Sequence, residues 1–133
     1  MPGVYIVDTH ALLWYLGDSE RLGAGADAAL SDLGNRLVVP AIALAEACWI
    51  IERGRVAVSL PDLLGELDAD SRISVQPLDR AIIERSAGLS AIAEMHDRQT
   101  VATALVLQDQ VGDVAVITRD GNITDSGLVR AVW

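Results

Sequence analysis

Two stretches of this chain, Val4-Tyr5-Ile6-Val7 and Val114-Ala115-Val116-Ile117, are apolar or aromatic at every position. A strand with one face in water alternates apolar and polar residues, so uninterrupted runs of this kind belong to strands covered on both faces. Residues 37–39 and 73–75 read as two more strands, and 128–132 as a possible fifth.

Helix-like stretches separate these runs. Residues 9–16 are stopped by Gly17, and 22–33 by Gly34 and Asn35. Pro40 opens 41–53, which ends at Gly54; Pro61 precedes 62–69. Asp79 caps a helix from 80 to about 89, and Asp97 opens 98–108. Strands alternating with helices predict an α/β fold with a mostly parallel sheet of four to five strands. No linker, repeat or low-complexity tract interrupts the sequence, so a single domain over residues 1–133 is expected.

The composition fits a folded domain, with 51% hydrophobic residues and a mean hydropathy of +0.33. The longest near-apolar run, from Val38 to Ile51, is broken by Pro40 and Glu46. It falls short of the roughly 20 apolar residues that a membrane-spanning helix needs. The start, Met1-Pro2-Gly3-Val4, lacks the basic segment of a signal peptide. A single cysteine, Cys48, excludes an internal disulfide and reads as a packing residue, which together suggest a cytoplasmic protein. The net charge is −9, and all ten basic residues are arginine. By itself that balance argues against a general polyanion binder.

Four acids stand where apolar segments begin, end or are interrupted: Asp8, Glu46, Asp97 and Asp120. Each has a structural explanation. Asp8 would cap the helix at Thr9, Asp120 would belong to an Asp-Gly turn, and Asp97 would sit at a helix amino terminus. Glu46 is different, because at helical spacing it meets Ile42, Trp49 and Ile50. A carboxylate there needs a buried partner such as Arg98 or Arg119, or a cation. Two acids after strands and two on flanking helices can converge at the carboxyl end of a parallel sheet, where ligands bind. Oxygen donors of this kind suit Mg²⁺ or Mn²⁺. His10, His96 and Cys48 lack zinc-ligand spacing. Magnesium held by carboxylates commonly completes its shell with phosphate, which suggests phosphodiester hydrolysis. Thr118 and Asp125 are weaker candidates beside Asp120, and Trp14, Tyr15, Trp49 and Ile50 read as core residues, or as partner-facing ones if they lie exposed.

Taken together these motifs resemble PIN domains, specifically VapC-like toxin ribonucleases of toxin–antitoxin pairs. The resemblance rests on Val7-Asp8-Thr9-His10-Ala11-Leu12-Leu13-Trp14, Ala43-Leu44-Ala45-Glu46, Asp97-Arg98 with Val101-Ala102-Thr103-Ala104-Leu105, and Ile117-Thr118-Arg119-Asp120. It implies a three-layer α/β/α sandwich and an acidic pocket in which Asp8, Glu46, Asp97 and Asp120 are both catalytic and metal-holding. Thr9 and Thr118 match small polar positions beside that pocket. It further implies RNA as substrate, a homodimer, and a cognate antitoxin whose tail enters the pocket. The lead-in Glu94-Met95-His96 departs from the family pattern in lacking a proline. A catalytically idle interaction module of the same fold is the main rival. An aspartate-nucleophile phosphatase would want an acid at position 10, which is His, and a receiver domain would want a lysine, which the chain lacks.

Overall fold

The computed structural model describes residues 3–133. Five strands, β1 (Val4–Val7), β2 (Arg36–Pro40), β3 (Ile73–Gln76), β4 (Val114–Ile117) and β5 (Arg130–Val132), form one sheet in the order β3-β2-β1-β4-β5. Every neighbouring pair is parallel. The helices are α1 (Thr9–Leu16), α2 (Ala24–Ser31), α3 (Ala41–Glu52), α4 (Leu60–Ala69), α5 (Arg80–Ser86), α6 (Met95–Val111) and α7 (Gly121–Ser126).

Alternation along the strands sends side chains into two separate cores. Val7, Leu37, Val39 and Ile117 pack with α1, α2, α3 and α4 through Leu12, Leu30, Ala43 and Leu63. Their neighbours Ile6, Val38, Val114 and Val116 point the other way, onto Val101, Ala104, Leu105 and Ile123. The expected α/β/α sandwich is therefore present, with an entirely parallel sheet. β1 and β4 are hydrogen-bonded neighbours, and the chain leaves β1 toward β2 on its other side. The strand order reverses at this point, and such a reversal opens a crevice at the carboxyl ends of the strands.

Several boundaries differ from expectation. α2 is shorter than the predicted 22–33, because the chain leaves helical geometry at Asp32, whose carboxylate accepts from Gly34 N instead. α5 likewise stops at Ser86. α6 begins at Met95, and its cap is Glu94, whose side chain accepts from Asp97 N at 2.9 Å. Asp97 thus lies within the first turn and does not precede the helix. Asp120-Gly121 is no simple turn: Asp120 caps the short helix α7, which closes at Gly127 with φ +68. Among the described residues, no helix is long and apolar enough to cross a membrane.

Candidate functional site

All four acids lie at the carboxyl end of the sheet or on the helices beside it. β1 delivers Asp8, held against β4 by its backbone N–H donating to Ile117 O at 3.1 Å. Its Oδ1 accepts from Thr9 N at 2.9 Å, so the capping role expected of it is real. Its Oδ2 does something else, accepting from Thr118 Oγ1 at 2.7 Å. Thr118 in turn accepts from Asp120 N at 3.0 Å. One buried hydroxyl therefore links the ends of β1 and β4 and fixes the direction of the Asp8 carboxylate.

Asn122, which sequence reasoning overlooked, connects the next pair. Its backbone N–H donates to Asp120 Oδ1 at 2.8 Å, and its side chain donates to Asp97 Oδ2 at 3.3 Å. The only hint of it in the sequence was its place two residues after Asp120. Glu46 sits on α3, where Thr9 Oγ1 ties α1 to α3 by donating to Ala43 O at 3.3 Å. His96 Nδ1 stands 3.7 Å from Glu46 Oε1 and 3.3 Å from Glu94 Oε1.

The acids act electrostatically on one another. Burial pushes Asp8 up from the ordinary carboxylate value, opposed by the Thr118 and Thr9 hydrogen bonds and reinforced by Asp120. Burial also raises Glu46, with Asp8, Glu94 and Asp120 adding to the shift and His96 opposing it. Asp97 is raised to about 7, first by burial and then by Asp120, with Asn122 pulling the other way. Glu94 is the exception. Burial raises it, but the backbone N–H groups of His96 and Asp97 bring it below its usual value.

The arginine partners considered for Glu46 lie elsewhere. Arg98 donates to Ile92 O, and the Arg119 guanidinium lies over the Trp14 ring. Among the described residues, no arginine pairs with any of the four acids. Nor do three acidic, histidine or cysteine side chains among them close tightly enough to make a finished ion cage. Instead the acids border two adjoining hollows. Asp8, Thr118 and Asp120 line one of about 300 Å³, and Glu46 and His96 line another of about 680 Å³; His10 and Trp14 form a wall of both. Asp97 lines neither and approaches the first through Asn122 and Asp120.

Oxygen donors that repel one another and lack a guanidinium are chemically suited to a hard divalent cation. Asp125 is exposed, with no described bond to the four acids. Trp49 is no core residue, at 48% exposure, and Trp14 lines the larger hollow, while Ile50 both lines that hollow and packs against the first core as expected. Cys48 and Tyr15 likewise pack against the first core.

Comparison with known proteins bears on the same arrangement. A family model described as PIN domain matches residues 5–126. A comparison with curated proteins finds no match. Among solved structures, the fold is similar to a chain of VapBC2 from Rickettsia felis, determined bound to a DNA fragment from their promoter. The TM-score is 0.67, the identity 13%, and 96% of each chain is covered. The matched segment runs from β1 through α7 and includes all four acids, and the chain belongs to the PIN domain family.

Proposed function

We propose that this chain is an endoribonuclease that depends on Mg²⁺ or Mn²⁺ and serves as the toxin of a toxin–antitoxin pair. One observation carries the reading: four carboxylates from separate elements lie near the strand-order reversal, and three are raised by burial and by acids around them, with no arginine ion-paired to them among the described residues. Such an arrangement costs stability unless a cation or substrate chemistry uses it. Asp8, Glu46 and Asp97 would hold the ion, directly or through water, with Asp120 assisting. The bound ion supplies Lewis acidity toward a phosphodiester.

The protein's own groups set the stage. Thr118 aims Asp8, Asn122 keeps Asp97 and Asp120 together, and Asp97 can carry a proton near neutral pH in the absence of an ion. His96 limits the repulsion at Glu46. No side-chain nucleophile or organic cofactor is required. The similar Rickettsia structure contains a VapBC pair, which supports an antitoxin as the protein partner. A homodimer in the cytoplasm completes the proposal.

The test is cleavage of RNA by the purified chain with Mg²⁺ or Mn²⁺ and with EDTA. Wild type should cut only with the ion. Asp8→Asn should lose about a hundredfold or more in rate, the scale on which preorganised electrostatic groups act, while its circular dichroism stays unchanged. Undiminished cleavage by that variant, or by wild type in EDTA, would defeat the reading.

A further inference from the structure

The larger hollow continues away from the acids as a groove of about 680 Å³, with Trp14 and Arg21 contributing to its lining alongside Trp49 and Arg55. Trp14 comes from α1 and Trp49 from α3, and each ring gathers two guanidinium groups. Arg119 and Arg21 lie 5.4 and 5.9 Å from the centre of the Trp14 ring. Arg53 and Arg55 lie 3.9 and 5.6 Å from that of Trp49. All four arginines are exposed, and none of them makes an ion pair among the described residues. Of the other six, Arg72, Arg80 and Arg130 are each paired with a carboxylate, Arg98 is bonded to a backbone carbonyl, and Arg36 and Arg85 stand singly away from the groove.

In a chain with nineteen acidic residues and a net charge of −9, leaving these four without a carboxylate concentrates cationic surface in one place. Flat aromatic faces beside unpaired guanidinium groups suit a strand whose bases stack and whose phosphates seek cations. A purely apolar peptide would use the rings and leave the arginines unmatched. An acidic peptide would match the arginines and leave the flat aromatic faces without a partner. Single-stranded nucleic acid satisfies both features, and the shared wall of His10 and Trp14 runs directly into the hollow that holds Asp8 and Asp120.

Trp14 is also held in place. Trp133 meets it edge-on with ring centres 5.7 Å apart, and His10 lies 5.2 Å away on another side. Trp133 crosses so close to Gly23 and Gly25 that an added Cβ would fall 2.6 and 2.7 Å from its backbone. A platform fixed before binding loses less entropy when a base arrives.

We propose that Trp14 and Trp49 are two base-stacking stations, with Arg21, Arg119, Arg53 and Arg55 taking the adjoining phosphates of an unpaired RNA segment. The inference rests on the ribonuclease reading of the acids, but its test does not read cleavage. Fluorescein-labelled single-stranded RNA of mixed sequence is titrated with the full chain in EDTA, and anisotropy reports binding. Trp14→Ala and Trp49→Ala should each weaken binding by about tenfold, the scale of one lost base–aromatic stack. Trp14→Phe and Trp49→Phe should keep most of the affinity, and a duplex of the same sequence should compete poorly. Circular dichroism melts identify any variant that has lost its fold, and the Phe forms keep the comparison valid for that position.

Equal affinity across wild type, Ala and Phe forms overturns the proposal, as does a duplex that competes as well as the single strand. Absence of RNA binding, with an amphipathic peptide occupying the groove in its place, overturns it too. RNA gripped through both tryptophans yet left uncut with Mg²⁺ or Mn²⁺ sinks the nuclease reading and supports the stations. RNA cut normally by all four variants, with unchanged affinity, does the reverse.

Discussion

At the amino-terminal end of the sheet, Asp70 accepts from Arg72 Nε and Nη2 at 3.1 and 2.8 Å, while Nη1 of the same guanidinium donates to Leu30 O and Asp32 O. At the carboxyl end, Asp8, Glu46 and Asp97 each feel the charge of Asp120, and among the described residues no arginine is ion-paired with any of the four. The consequences have opposite sign: Arg72 holds Asp70 below the usual carboxylate value, and burial with mutual repulsion raises the other three. The same pattern holds elsewhere along the amino-terminal end. Buried Asn35 bonds Gly3 N and Ala29 O, and Arg130 reaches Asp113. One end of the sheet spends its polar groups on holding the fold together. The other keeps charge uncompensated, as functional sites commonly do.

That contrast can be broken most severely at its stabilising end. Arg72→Ala removes a guanidinium that is only 12% exposed and leaves Asp70 and two carbonyls without their donor. The expected loss is about 3 kcal/mol in denaturant unfolding, with RNA cleavage per folded molecule unchanged. A loss within error would mean that the pairing at this end contributes nothing to the fold.

A smaller effect should appear in the pH dependence of melting, because Asp97 is only half-buried and solvent screens it. Its folded value is about 7 against 3.8 for the free group, so the folded chain retains a proton that the unfolded chain releases. Between those two values, rising pH therefore lowers stability. Asp70 works the other way, its contribution being present above the unfolded value and lost on acidification. The ion-free protein should melt at progressively lower temperature as pH climbs from mildly acidic toward neutral. Asp97→Asn should flatten that fall, and an identical slope in both proteins would contradict the assignment.

Smallest is Thr118→Val, which deletes the hydroxyl that donates to Asp8 Oδ2 and receives Asp120 N. Roughly 1–2 kcal/mol of stability should be lost, with slower cleavage because Asp8 is no longer aimed. Thr118→Ser should restore both, and failure of that rescue would place the defect in packing.

Much of this was legible in the residues. The apolar runs at Val4–Val7 and Val114–Ile117 became the two adjacent central strands, because segments without a polar face have nowhere else to go. Pro40 and Gly54 marked the reach of α3 to within two residues. Glu46 stood out because its helical neighbours are apolar, and those same neighbours line the groove beside it. Legibility failed where a side chain chose among nearby backbone partners. Glu94 took the capping role at α6 and left Asp97 inside the helix, and Asp120 started a helix where an Asp-Gly turn was expected. Trp49 read as core because its sequence neighbours are apolar, yet it stands half in solvent.

Periodicity and composition alone determined that this chain would build a covered parallel sheet with acids at its edges. Both follow from local chemistry: apolar runs must be buried, and carboxylates resist burial. Only the tertiary structure decided that Thr118 would bridge Asp8 and Asp120 and that Asn122 would join Asp97 to them. It likewise decided that four of the unpaired arginines would collect on Trp14 and Trp49. Those outcomes depend on which strands become neighbours across more than a hundred residues of chain, as in the Thr118–Asp8 bond spanning 110 positions, and no local pattern encodes that distance.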